Sequence, residues 1–164
     1  MGKVLSEAAV TQYQRDGFYF PIDVLTEEEV EVVRSRMEAF EKTLGHPISG
    51  EYRGKSHLIF TWVDTLMRNP RILDAVEDLI GHDILCWSTV WRDKEAGSNA
   101  FDSWHQDVKY WGLDTNDLVT VWLALSPATR ESGCMRILPG SHKGEVLPHE
   151  DQYHDANMLT RGQT

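Results

Sequence analysis

His105 and Asp107 stand one residue apart in the run Trp104-His105-Gln106-Asp107. On an extended segment, side chains alternate with period two, so this spacing turns an imidazole and a carboxylate to one face. Two such donors can hold a divalent metal. With one further histidine they form the facial triad of non-haem iron(II) oxygenases, which leaves coordination positions open for chemistry. By itself the pair decides little, because seven histidines and 26 acidic residues make chance matches common. The other histidines carry weaker signals. His142 lies in a Pro-Gly-Ser-His turn and reads as a hydrogen-bonded loop residue, whereas His149 and His154 sit in a polar stretch. His46, His57 and His82 adjoin turns or helix ends.

The elements that must position this pair are legible in outline. Thr26 followed by Glu29 is a capping box, and Val30, Val33, Met37, Phe40 and Leu44 recur at helical spacing. This predicts a helix from about Glu27 to Leu44, stopped at Gly45-His46-Pro47. Asn69 and Pro70 open a second helix that ends at Gly81 and is expected to bury Leu73, Val76 and Ile80. After Gly81 the composition turns to strand formers, in Ile84–Trp91, Leu118–Leu125 and Met135–Leu138. Helices followed by short strands indicate an α+β fold. Trp87, Trp91 and Trp104 are expected in its core. Residues 1–81 form a mainly helical flank, 82–144 a β core bearing His-x-Asp, and 145–164 a loop or tail without a strand, all in one domain.

Composition bounds the partners. Apolar residues make up 41% and charged residues 26%, which is ordinary for a globular domain. A formal charge of −10 argues against nucleic acid and anionic membrane surfaces. No apolar run approaches the roughly 20 residues that span a bilayer, and no signal peptide is visible, so a cytoplasmic location is expected. Cys86 and Cys134 read as reduced thiols in that compartment. Nothing in the sequence specifies an oligomeric state.

The context of the pair is more specific than the pair. From Trp104 to Gly144, His-Gln-Asp is followed by the aromatic pair Tyr110-Trp111 and a segment ending Trp122-Leu123-Ala124-Leu125. A Ser-Gly-Cys turn and a Pro139-Gly-Ser-His-Lys143 loop complete the run. This block closely resembles the signature of the phytanoyl-CoA dioxygenase family of Fe(II)/2-oxoglutarate-dependent oxygenases. The upstream run YQRDGFYFPIDVLTEEEV and residues 55–81 resemble the family's helical flank.

The resemblance implies a double-stranded β-helix (a cupin-like jelly roll) with flanking helices. It implies His105 and Asp107 as iron ligands, and Trp122 and Lys55 at the 2-oxoglutarate pocket. Tyr110 and Trp111 become candidates for the wall facing a small-molecule or acyl substrate. The implied cofactors are Fe(II), 2-oxoglutarate as co-substrate, and O2. The implied reaction couples decarboxylation of 2-oxoglutarate to succinate with substrate hydroxylation; an aspartate at 107 disfavours the halogenating variant, which replaces that carboxylate.

One part of the family pattern is missing. The third ligand, a distal histidine, and the arginine that grips the far carboxylate of 2-oxoglutarate have no matching segment in residues 145–164, where Arg161 is the only arginine. A truncated sequence is therefore expected. His149 or His154 as a substitute ligand, and a non-catalytic cupin-like binding module or inactive fragment, remain as alternatives.

Overall fold

The computed structural model describes residues 2–115, 117–151, 154–159 and 161–162. Helix α1 spans Glu7–Asp16, and Ser6 caps it by accepting from the Ala9 amide. Helix α2 spans Glu27–Leu44 with the expected capping box complete: Thr26 Oγ1 accepts from the Glu29 amide and Glu29 returns a bond to the Thr26 amide. Both helices end on a left-handed glycine, Gly17 and Gly45. Helix α3 covers Thr61–Met67 and α4 covers Pro70–Ile80, with Asn69 capping and Pro70 at the first position.

The α2 face is as the spacing predicts, since Val30, Val33, Met37, Phe40 and Leu44 are all half-buried. In α4 the buried stripe is rotated from the expected one. Ile72, Ala75 and Val76 are buried, Leu73 is half-buried, and Ile80 is exposed. The cause is the N-terminal segment. Asp78 of α4 accepts from the amides of Lys3, Val4 and Leu5 at 2.7–2.9 Å, which draws Leu5 and Ala9 of α1 onto Ala75. Val10, Tyr19, Ile22 and Leu79 pack around this core.

A chain of rings ties the helices to the segment after Gly81. Phe40 of α2 meets Tyr52 and Phe60 edge-on at 5.2 and 4.7 Å, Phe60 adjoins Trp62 of α3, and Trp62 reaches Trp91 at 5.6 Å. Trp91 is half-buried, in keeping with a core role. Trp87 and Trp104 are not core residues, being 47% and 51% exposed. Each ring takes a cation instead, Lys55 and Arg136 respectively, at 5.6 Å.

Residues 82–144 contain no paired ladder among the described residues. An antiparallel bridge between Gly54 and Val90 joins them to the helical flank, beside the Trp62–Trp91 ring contact. A strand exists only through its partner, and Leu85, Val121, Trp122, Met135 and Ile137 stay exposed. The paired strands lie instead where a tail without strands is expected. β1 (Glu150–Asp151) pairs antiparallel with β2 (Arg161–Gly162), and a parallel bridge joins Phe101 to Asn157. Cys86 and Cys134 are free thiols, both half-buried. No helix among the described residues is long and apolar enough to cross a membrane.

Candidate metal centre

His105 and Asp107 face each other as the spacing predicts, with His105 Nε2 at 3.2 Å from Asp107 Oδ1. The backbone achieves this differently from a plain strand. Asp107 has helical dihedrals, φ −53° and ψ −35°, and opens the short helix α5, Val108–Trp111. His105 Nδ1 donates to the Ser103 carbonyl at 2.8 Å, which fixes the ring and directs Nε2 at the carboxylate. Asp107 Oδ2 accepts from Thr120 Oγ1 at 3.0 Å, so each oxygen of the carboxylate has a defined neighbour.

Electrostatics follow from this geometry. The hydrogen bond from His105 is the largest cause holding the Asp107 carboxyl below the usual carboxylate range, with the Thr120 hydroxyl adding to it against the cost of burial. The same bond to Asp107 raises the His105 imidazole above its ordinary value, against partial burial. Both shifts act in the same sense, each favouring the charged form of its group beside the other. A divalent cation between them would take the place of the Nε2 proton, and the donor set of one nitrogen and one ionised oxygen fits such an ion.

Gln106, between the two, turns away from them as expected. Its side-chain Oε1 accepts from the Leu147 amide at 2.8 Å, Nε2 donates to the Glu145 carbonyl at 3.4 Å, and its own amide donates to His149 Nε2 at 2.9 Å. His149 Nδ1 in turn donates to the Leu147 carbonyl at 2.8 Å. Both nitrogens of His149 are thus engaged by backbone. His154 Nδ1 accepts from the Ala156 amide, and its ring lies beside Phe101. Among the described residues no group of three or more His, Cys, Asp and Glu is placed to hold one metal ion.

The remaining expected site residues divide. The Tyr110 ring meets the His105 ring edge-on at 5.6 Å, and Trp111 lies on the same turn, half-buried. Trp122 is 43% exposed, two residues after the Thr120 that holds Asp107. Lys55 adopts left-handed dihedrals (φ 54°, ψ 33°), its amide donates to the Thr89 carbonyl, and its ammonium lies over Trp87. His142 is a hydrogen-bonded loop histidine, as expected: Nε2 donates to the Gln14 carbonyl at 3.1 Å. Sequence reasoning missed Thr120 and Ser103. A lone hydroxyl between Val119 and Val121 was the available signal for the first; Ser103 offered none.

A profile of the phytanoyl-CoA dioxygenase (PhyH) family matches residues 13–163. The chain belongs to the phytanoyl-CoA dioxygenase family. Among similar proteins, a probable alpha-ketoglutarate-dependent hypophosphite dioxygenase of Stutzerimonas stutzeri is 33% identical over 95 residues, which is 58% of this chain and 33% of that protein. The peroxisomal phytanoyl-CoA dioxygenase of Homo sapiens is 35% identical over 85 residues, 49% of this chain and 25% of that enzyme. The chain thus spans a third or less of these curated relatives. The solved structure of CytC3 with Fe(II) and alpha-ketoglutarate superposes with a TM-score of 0.59 at 20% identity, covering 85% of this chain and 61% of that one. That likeness is one of fold, and no jelly-roll ladder is formed among the described residues.

Proposed function

We propose that this PhyH-family protein is a non-haem Fe(II)/2-oxoglutarate-dependent dioxygenase that hydroxylates a small-molecule or acyl substrate, with His105 and Asp107 as two of its iron ligands. The observation that carries this reading is the 3.2 Å apposition of His105 Nε2 and Asp107 Oδ1 within a family-matched chain. On this reading the core is a double-stranded β-helix. When bound, iron and 2-oxoglutarate supply the oxidising chemistry, with decarboxylation to succinate coupled to hydroxylation.

The protein's own residues hold and orient. The Ser103 carbonyl keeps the Nδ1 proton of His105, which leaves Nε2 as the ligating nitrogen. The Thr120 hydroxyl holds one carboxylate oxygen of Asp107 and leaves the other beside Nε2. Tyr110, packed edge-on to His105, is assigned to the substrate-facing wall because it follows the ligand segment. Trp122 and Lys55 are assigned to the 2-oxoglutarate side by family resemblance, and Trp111 to the substrate wall.

The test is anaerobic Mn(II) titration of the protein and its variants, followed by succinate formation with oxygen consumption on Fe(II). Mn(II) binding that His105→Ala and Asp107→Ala weaken about tenfold or more supports the assignment. His149→Ala is expected to keep that binding within a few-fold, since both His149 nitrogens serve backbone. Equal Mn(II) binding by wild type and the two ligand variants overturns the reading. Metal binding without any 2-oxoglutarate consumption favours the binding-module alternative.

A further inference from the structure

We propose that Asn157 is a positioning residue for His105, acting through Ser103; the inference rests on the reading of His105 as an iron ligand. Asn157 lies 52 positions beyond His105 in sequence, yet the fold lays its segment alongside the one that leads into the histidine. The Phe101 amide donates to the Ala156 carbonyl at 2.9 Å, and the Met158 amide donates to the Phe101 carbonyl at 2.8 Å, forming the parallel bridge between Phe101 and Asn157.

The Asn157 side chain then reaches across this bridge. Its Oδ1 accepts from the Ser103 amide at 3.2 Å and from the Leu159 amide at 3.1 Å. Its Nδ2 donates to Ser103 Oγ at 3.2 Å. The two backbone N–H groups can only donate, so the orientation of the amide is chemically determined: oxygen toward the backbone, nitrogen toward the hydroxyl. Leu159, beside it, is buried at 9% exposure and anchors the segment.

Ser103 is thereby held from both its amide and its hydroxyl. What remains of it, the carbonyl, accepts the His105 Nδ1 proton at 2.8 Å. Asn157, Ser103 and His105 form one relay of hydrogen bonds, and its last member sets which ring nitrogen faces Asp107. The outer-shell partner of a ligating histidine fixes its orientation, and its loss typically costs tenfold or more in metal affinity. Here that partner is a backbone carbonyl, which cannot be mutated, and Asn157 is the side chain that places it.

The test follows the His105 Nδ1 proton by NMR in the metal-free protein at mildly acidic pH, with the resonance assigned by its loss in His105→Ala. In wild type this proton is expected to be protected from exchange. Asn157→Ala should accelerate its exchange about tenfold, the scale of one lost hydrogen bond, and weaken Mn(II) binding about tenfold. Asn157→Asp keeps the acceptor oxygen and should retain wild-type protection. Unchanged Nδ1 protection in folded Asn157→Ala overturns the proposal. If Asn157→Ala does not fold, Asn157→Ser, whose side chain is too short to bridge to Ser103, decides: faster Nδ1 exchange supports the relay, and unchanged protection overturns it. A wild-type protein that binds no Mn(II) sinks the iron-ligand reading instead, and the proton measurement still judges the relay.

Discussion

Thr120 Oγ1 donates to Asp107 Oδ2 at 3.0 Å, so a hydroxyl from one segment steadies the carboxylate of another 13 residues away. The other oxygen, Asp107 Oδ1, faces His105 Nε2 at 3.2 Å. The hydroxyl bond makes Thr120 part of the candidate metal centre, although the residue type carries no metal chemistry.

Replacing Thr120 by Val keeps the shape and removes the donor. The Asp107 carboxyl should then titrate at higher pH, because one of the groups that favour its charged form is lost. Mn(II) affinity should fall about tenfold. Thr120→Ser should restore both. Carboxyl carbon shifts followed against pH, together with a metal titration, check the two effects; an unmoved Asp107 titration would falsify the role assigned to this bond.

Gly17 and His142 couple the end of α1 to the Pro-Gly-Ser-His loop. Gly17 has φ 86°, and a Cβ there would lie 2.4 Å from His142 Nδ1. The Gly140 amide also donates to the Asp16 carbonyl at 2.8 Å, which holds the loop against the helix end. Gly17→Ala is expected to cost about 2 kcal/mol or more, the left-handed penalty plus the clash. In the double variant with His142→Ala the steric part should vanish, so the two costs should not add. Urea denaturation of the four proteins measures this; strict additivity would refute the contact.

Asp78 gives a pH prediction. Amide donors from Val4, Leu5 and Lys3 hold its carboxyl below the ordinary range, the Val4 amide most of all. A folded-state value below the unfolded value of about 3.9 means that the folded state binds the proton less tightly. The stabilisation is therefore present above that pH and is lost as pH falls through the folded value. Thermal melts from pH 6 to pH 3 should show wild type losing stability more steeply than Asp78→Asn, which should melt a few degrees lower at pH 6. Parallel curves would mean that the N-terminal segment does not depend on this charge.

The helical flank was largely legible because its signals are local. A capping box at Thr26 and Glu29, a proline at the first turn of α4, and the stop at Gly45 each act within a few residues, and the structure places all three as read. The phase of α4 was not legible. Val76 is buried as read, but three amides from the N-terminus converge on Asp78 and bring Leu5 and Ala9 onto Ala75, while Ile80 stays exposed. No periodicity records that contact.

At the candidate site the sequence by itself determined the pair and the family. One-residue spacing brings His105 and Asp107 to the same side whether the backbone is extended throughout or turns helical at Asp107. The motif block around them identifies the family because residue types in order are a property of the chain alone. Only the tertiary structure decided what holds the pair in place. Ser103, Thr120, Gln106, His149 and Asn157 are ordinary polar residues, and their roles exist because segments up to 54 positions apart come within hydrogen-bond distance. Hydrogen bonds of about 3 Å depend on relative position, which chain packing fixes and local spacing does not.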